Sequence, residues 1–166
     1  MTFSPLTNTT IPANGRYNTR KYRVIGFTIH HNAGFNAWGE ASNPNREVSA
    51  NYWIADDGTI IGNIPEEYRA WTTGSGSYPA GAESDHRNIT VEVSNSIEGV
   101  RNGTWAISAA AKVSLEKLIG DVFRRYGLGT VRRAANGGVA VHQDFVPTAC
   151  PGPYIMNNLS GINSKR

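Results

Sequence analysis

An α/β domain with a single central mixed β-sheet flanked by helices is the fold class predicted by three features of this 166-residue sequence. Short β-rich runs are spread along the chain, a turn signal joins two of them into a hairpin, and one long stretch repeats its apolar residues at steps of three and four. The length suits one domain over residues 1–166, large enough to bury roughly two thirds of its unfolded surface. With 39% hydrophobic and 17% charged residues, the chain falls among folded soluble proteins rather than disordered or membrane chains.

Residues 1–22 are rich in Thr, Asn, Pro and Gly and read as an extended arm. The first strand is the β-rich run 24–29, which delivers His30-His31-Asn32-Ala33-Gly34 into a turn. Residues 36–46 have loop composition. The runs 51–55 and 59–61 flank Asp56-Asp57-Gly58 and form a β-hairpin. Residues 71–87 lack periodicity and read as one long loop, a feature often tied to function in compact domains.

Ile89-Thr90-Val91-Glu92-Val93 alternates like a half-buried strand. Ser108 caps a helix running to Tyr126, on which Ala111, Leu115, Leu118, Ile119 and Val122 form one stripe and after which Gly127 gives a stop. A last strand, Val139-Ala140-Val141, leads to His142, and a short helix follows from Pro153. The polar residues 160–166 suit the start of a linker.

The net charge of +3 is a mild surplus, with clusters at Arg16, Arg20, Lys21 and Arg23 and at Arg132 and Arg133. Such a charge steers acidic polymers weakly and equally suits a solvated face. The single cysteine, Cys150, excludes an intramolecular disulfide. The N-terminus lacks the basic and then apolar pattern of a secretion signal, and no run approaches the length of a membrane span. These features lead us to expect a protein made in the cytoplasm and not inserted in a membrane.

Side-chain parity along the strands picks out the chemistry. In the first strand Phe27 and Ile29 share one face, while Thr28 and His30 share the other. Glu92 lies with Thr90 and Ser94, away from Ile89, Val91 and Val93, and His142 lies with Ala140. Three strands thus each offer an ionisable group on the polar face. A catalytic zinc ion takes three protein ligands and keeps one position open, whereas a structural one is normally closed by four. His30, His142 and Cys150 meet that count, because the loop between His142 and Cys150 is long enough to turn both onto one ion.

The segments Phe27-Thr28-Ile29-His30-His31-Asn32-Ala33-Gly34, Tyr52-Trp53-Ile54-Ala55-Asp56-Asp57-Gly58-Thr59-Ile60, Asn88-Ile89-Thr90-Val91-Glu92-Val93 and His142-Gln143-Asp144-Phe145-Val146-Pro147-Thr148-Ala149-Cys150-Pro151-Gly152 resemble the type 2 N-acetylmuramoyl-L-alanine amidases. That family includes phage endolysins, bacterial autolysins and the peptidoglycan recognition proteins of animals. The blocks occur in the family's order and span about residues 24–155, and the last is the most specific.

The resemblance implies one Zn²⁺ ion on His30, His142 and Cys150, with Glu92 as catalytic base and acid. It implies hydrolysis of the amide between the lactyl group of N-acetylmuramic acid and L-alanine. Where some members carry a catalytic Tyr and Lys, this chain has Ala50 and Thr148, so the burden falls on Glu92, with Thr148 helping to hold the oxyanion. A His common after the loop Trp is here Thr72; Trp71, Thr72 and Asn95 are the candidate substrate contacts.

His31 is expected beside the ligands rather than among them, and His86 solvated in its loop. The implied partner is bacterial peptidoglycan rather than nucleic acid, met by a monomeric endolysin catalytic domain that reaches the wall through membrane lesions. Two alternatives stand beside this reading. One is a peptidoglycan-binding module without catalysis, and the other a Cys/His wall peptidase in which a helix opened by Pro151 favours the Cys150 thiolate.

Overall fold

The computed structural model describes residues 2–12, 15–74 and 77–159, so the expected linker at 160–166 lies outside the described residues. The first half of the chain forms β1 (Thr9–Thr10), β2 (Tyr17–Thr19), β3 (Gly26–His31), α1 (Ala37–Ser42), β4 (Tyr52–Ile54), β5 (Ile60–Gly62) and β6 (Tyr68–Ala70). The second half forms α2 (Pro79–Arg87), β7 (Asn88–Val93), α3 (Ile97–Arg101), α4 (Ala109–Tyr126), β8 (Val139–Val141), a 3₁₀ turn (His142–Asp144) and α5 (Pro153–Asn158).

Six strands make one mixed sheet in the order β1-β5-β4-β7-β3-β8, and β2 pairs antiparallel with β6 at its side. Strands β4, β7, β3 and β8 run parallel, while β5 turns back against β4 through the expected hairpin. Gly58 in that turn has φ +87°, a conformation most other residues adopt only with strain. The predicted fold class and the hairpin therefore stand.

One face of the sheet carries the main core. Phe27, Ile29, Tyr52, Ile54, Ile89, Val91, Val93, Val139 and Val141 pack on Ala111, Leu115, Leu118, Ile119, Val122 and Phe123 of α4. Helix α4 has its predicted limits: the Ser108 hydroxyl accepts from Ala111 N at 3.0 Å, and Gly127 ends it at φ +63°. A second, smaller core of Ala37, Ala41, Ala50, Trp53, Ala55 and Ile61 lies across the sheet under α1.

Several expectations need correction. The loop assigned to 36–46 contains α1, which Asn36 caps by accepting from Gly39 N at 2.9 Å. The loop assigned to 71–87 ends in α2, which opens on Pro79 without a side-chain cap. His86 is therefore not a solvated loop residue: it is buried on α2, where its Nδ1 accepts from Lys21 N at 3.2 Å. The N-terminal arm is not merely extended, since β1 adds to the sheet edge and β2 pairs with β6.

The basic cluster of the arm is also not simply a surface feature. Arg20 turns inward and donates to the carbonyls of Glu66, Tyr68, Asp85 and Asn88 at 2.8–3.0 Å. Burial lowers its pKa to about 10, and the bonds tie the arm to β6 and to the end of α2. On the α4 side, Ser4 Oγ donates to Asp121 at 2.7 Å, and Arg125 grips Glu66 with two bonds of 2.6 and 2.7 Å.

Candidate metal centre

The site lies on the sheet face opposite α4, toward the carboxyl ends of the parallel strands, where open α/β sheets usually place their chemistry. Register explains its assembly. His30 on β3 is the direct partner of Glu92 on β7, and Glu92 is in turn the partner of Trp53 on β4. Direct partners point to the same face, so the three side chains stand in a row. His142 follows β8 beside β3, and the loop after the 3₁₀ turn brings Cys150 back over His30.

The Nδ1 atoms of His30 and His142 are 3.1 Å apart, and Cys150 Sγ lies 3.7 Å from His30 Nδ1. One ligand atom from each of the three residues falls within 4.8 Å of the others. Tetrahedral zinc with nitrogen ligands at about 2.0–2.1 Å and sulfur at about 2.3 Å separates its donors by roughly 3.3–3.6 Å. The arrangement fits one such ion. Burial, with the neighbouring imidazoles, holds His30 well below the usual histidine range, and burial lowers His142 too, which favours the neutral rings that ligands must be.

Glu92 stands beside the donor cluster as the cross-strand partner of His30. It is buried, its Oε2 has no hydrogen-bond partner among the described residues, and burial raises its pKa to about 8. Burial and the Glu92 charge push the Cys150 thiol up, so the cysteine stays protonated unless a cation takes its place beside the proton-free sulfur. The short helix begins at Pro153, as expected, rather than at Pro151 as the cysteine-nucleophile alternative required.

The other predicted residues divide. Thr148 and Trp71 line a cleft of about 740 Å³ that also reaches His142, and Trp71 is exposed. Thr148 Oγ1 accepts from Cys150 N at 3.2 Å, which shapes the cysteine loop. Thr72 borders the cleft, but its hydroxyl is buried on Ser49 O and Thr90 Oγ1, both at 2.7 Å. Asn95 does not reach the cleft: it is fully buried and its amide donates to Trp105 O at 2.7 Å, so its expected substrate contact is withdrawn.

His31 packs on the edge of Trp105, with ring centres 5.5 Å apart, and is not among the grouped donors. A Cβ on Gly152, which has φ +84°, would lie 3.0 Å from that ring, so the glycine lets the cysteine loop close over His31.

Sequence reasoning missed Thr73 and Asp85. Thr73 Oγ1 lies 3.1 Å from His30 Nε2, and its carbonyl oxygen lies 3.0 Å from His142 Nε2. Asp85 accepts from the backbone N–H groups of Thr72 and Thr73 at 2.9–3.1 Å. Neither had a signal in the sequence, because both sit in a segment without periodicity, Thr73 meets His142 through its carbonyl, and the Asp85 carboxylate accepts from backbone N–H groups. Arg16, Arg46 and Arg69 line the cleft with Glu47 and give its wall a basic surplus, although Arg46 pairs with Glu40 and Arg69 with Asp85.

Among known proteins, the family model for N-acetylmuramoyl-L-alanine amidase matches residues 20–153. A search of curated proteins returns no match. The fold is similar to a selenomethionine derivative of AmpD, with a TM-score of 0.72 at 18% identity over 98% of this chain and 97% of that one. It is also similar to the N-acetylmuramoyl-L-alanine amidase LysC from Clostridium intestinale, with a TM-score of 0.65 at 16% identity over 94% and 98% of the two chains. The Ph2119 endolysin from a Thermus scotoductus bacteriophage gives 0.62 at 14% identity over 94% and 99%. With four fifths of its length matched by the family model and its fold shared with these structures, this chain belongs to the N-acetylmuramoyl-L-alanine amidase family.

Proposed function

We propose that the protein is a zinc-dependent N-acetylmuramoyl-L-alanine amidase, which hydrolyses the amide joining the lactyl group of N-acetylmuramic acid to L-alanine in peptidoglycan. The observation that carries this reading is the convergence of His30 Nδ1, His142 Nδ1 and Cys150 Sγ beside a buried, unpartnered carboxyl oxygen of Glu92. Family membership supports the bond class.

His30, His142 and Cys150 would hold the ion. When bound, it supplies Lewis acidity to the scissile carbonyl and to the attacking water. In its carboxylate form, which a neighbouring cation would favour against the burial that raises its pKa to about 8, Glu92 accepts a proton as that water adds to the carbonyl carbon, and returns it to the alanine nitrogen as the C–N bond breaks. The products are a lactyl carboxylate and a free amine. Such a proton shuttle is typically worth about 10² to 10⁴ in rate. Thr148, on the cleft wall, accepts from Cys150 N through its hydroxyl oxygen and would donate its own O–H toward the oxyanion. The basic wall suits the carboxylates of a stem peptide.

Retention of all three donor residues disfavours a module that only binds. The raised thiol pKa disfavours a cysteine nucleophile. The test is mass analysis of purified peptidoglycan digested with and without a chelator. The expected result is new N-terminal alanine with intact glycan, lost on chelation and restored by zinc. Activity that persists in the metal-free protein, or cleavage within the glycan, would overturn the reading.

A further inference from the structure

Thr73 meets both histidines of the cluster through groups of different character. Its carbonyl oxygen faces His142 Nε2 at 3.0 Å, and its hydroxyl faces His30 Nε2 at 3.1 Å. A carbonyl only accepts, so a neutral His142 carries its hydrogen on Nε2 and leaves the Nδ1 lone pair open. That lone pair faces His30 Nδ1 at 3.1 Å. With no cation between them, two lone pairs could not face each other at this distance, and the Cys150 thiol donates instead to His31 O; His30 Nδ1 would then donate to His142 Nδ1, and His30 Nε2 would accept from the Thr73 hydroxyl.

A cation at the cluster takes the lone pairs of both Nδ1 atoms. His142 needs no change for this. His30 must move its hydrogen to Nε2, where the Thr73 hydroxyl can turn and accept it. A hydroxyl serves both tautomers; a carbonyl serves one. The segment that presents these two groups is held independently of any ion. The fully buried Asp85 carboxylate accepts from Thr72 N and Thr73 N, and the Thr72 hydroxyl donates to Ser49 O at 2.7 Å.

We propose that Thr73, anchored by Asp85, is a positioning residue that sets the tautomers of both ligand histidines: its carbonyl fixes His142 ready to bind, and its hydroxyl follows His30 from one tautomer to the other as the metal enters. This inference rests on the zinc reading above. It predicts different behaviour for the two rings, which a merely structural contact does not.

The test uses the full chain, with zinc as the only probe and two readouts other than activity. Imidazole nitrogen chemical shifts of ¹⁵N-labelled protein, recorded without and with zinc, should show His142 protonated at Nε2 throughout and His30 passing from Nδ1–H to Nε2–H. Competition with a chromophoric chelator should show Thr73→Val losing about 10- to 100-fold in zinc affinity, because the buried His30 Nε2–H has no acceptor. Thr73→Ser, which keeps the hydroxyl, should stay within a few-fold of the unmodified protein.

Equal zinc affinity for the valine variant, or the same His30 tautomer in both states, would overturn the inference while leaving the zinc reading intact. Failure of the unmodified chain to bind zinc would overturn both. The tautomer measurement needs no variant, so it decides the matter even where Thr73→Val fails to fold.

Discussion

The two faces of the central sheet solve opposite problems with the same strands. Toward α4, strands β3, β7 and β8 present Phe27, Ile29, Ile89, Val91, Val93, Val139 and Val141, an apolar layer with no polar atom to satisfy. Toward the site they present Thr28, His30, Thr90, Glu92 and Ala140, buried almost as completely. There the polar groups are paired one by one. Asn51 links to Thr90, Thr90 to Thr72, Asn88 to Thr28, and Thr73 to His30. Glu92 Oε2 remains without a partner among the described residues. One face thus stabilises, while the other spends stability on a carboxyl whose burial is unfavourable when charged.

The contrast can be broken most sharply at Glu92. Glu92→Gln keeps the shape and removes the ionisable group, so peptidoglycan hydrolysis should fall about 10²- to 10⁴-fold. The thermal midpoint should stay equal or rise, because the raised pKa of about 8 marks a charge that burial disfavours. A large loss of stability would mean that Glu92 belongs to the scaffold. The opposite outcome is expected at Leu118, fully buried in the α4 layer. Leu118→Ala should cost about 2–5 kcal/mol in denaturant unfolding and leave activity per folded molecule unchanged.

Asp85 sharpens the comparison through pH. Burial, only partly offset by its hydrogen bonds, raises its pKa to about 6 from an ordinary value of 3.8. The folded state therefore holds a proton that the unfolded chain has released across that window. The sign follows: this contribution is fully present below about pH 4 and is lost as pH rises through about 6. The stability of the metal-free protein relative to Asp85→Asn should fall by about 2–3 kcal/mol between pH 4 and pH 7. A difference independent of pH would contradict the assignment. The smallest effect is at the cap of α4, where Ser108→Ala should cost about 1 kcal/mol and leave zinc binding untouched.

How far the sequence revealed each face follows from the same contrast. Alternation and helical spacing mark the α4 layer directly, because an apolar residue declares its side by where it falls in the period. His30, Glu92 and His142 were legible because they fall on the polar phase near strand ends, and Cys150 because its loop is long enough to turn back beside His142. The supports of the site were not. Gly39 and Gly81 weaken the helical signals of α1 and α2, whose inward sides are fixed by tertiary contacts: Ala37 and Ala41 pack in the core with Trp53, and Asp85 accepts from Thr72 N and Thr73 N. Thr73 acts on one histidine through a carbonyl that every residue possesses, which no pattern of side chains can announce. Arg20 looked like surface charge because its four acceptors are backbone carbonyls brought together only by folding.

The central claim concerns the ion's own neighbours, and X-ray absorption on the zinc-loaded protein measures them directly. The account predicts two imidazole nitrogens at about 2.0–2.1 Å and one sulfur at about 2.3 Å, with the sulfur lost in Cys150→Ser. A shell of nitrogen and oxygen alone in the unmodified protein would contradict it.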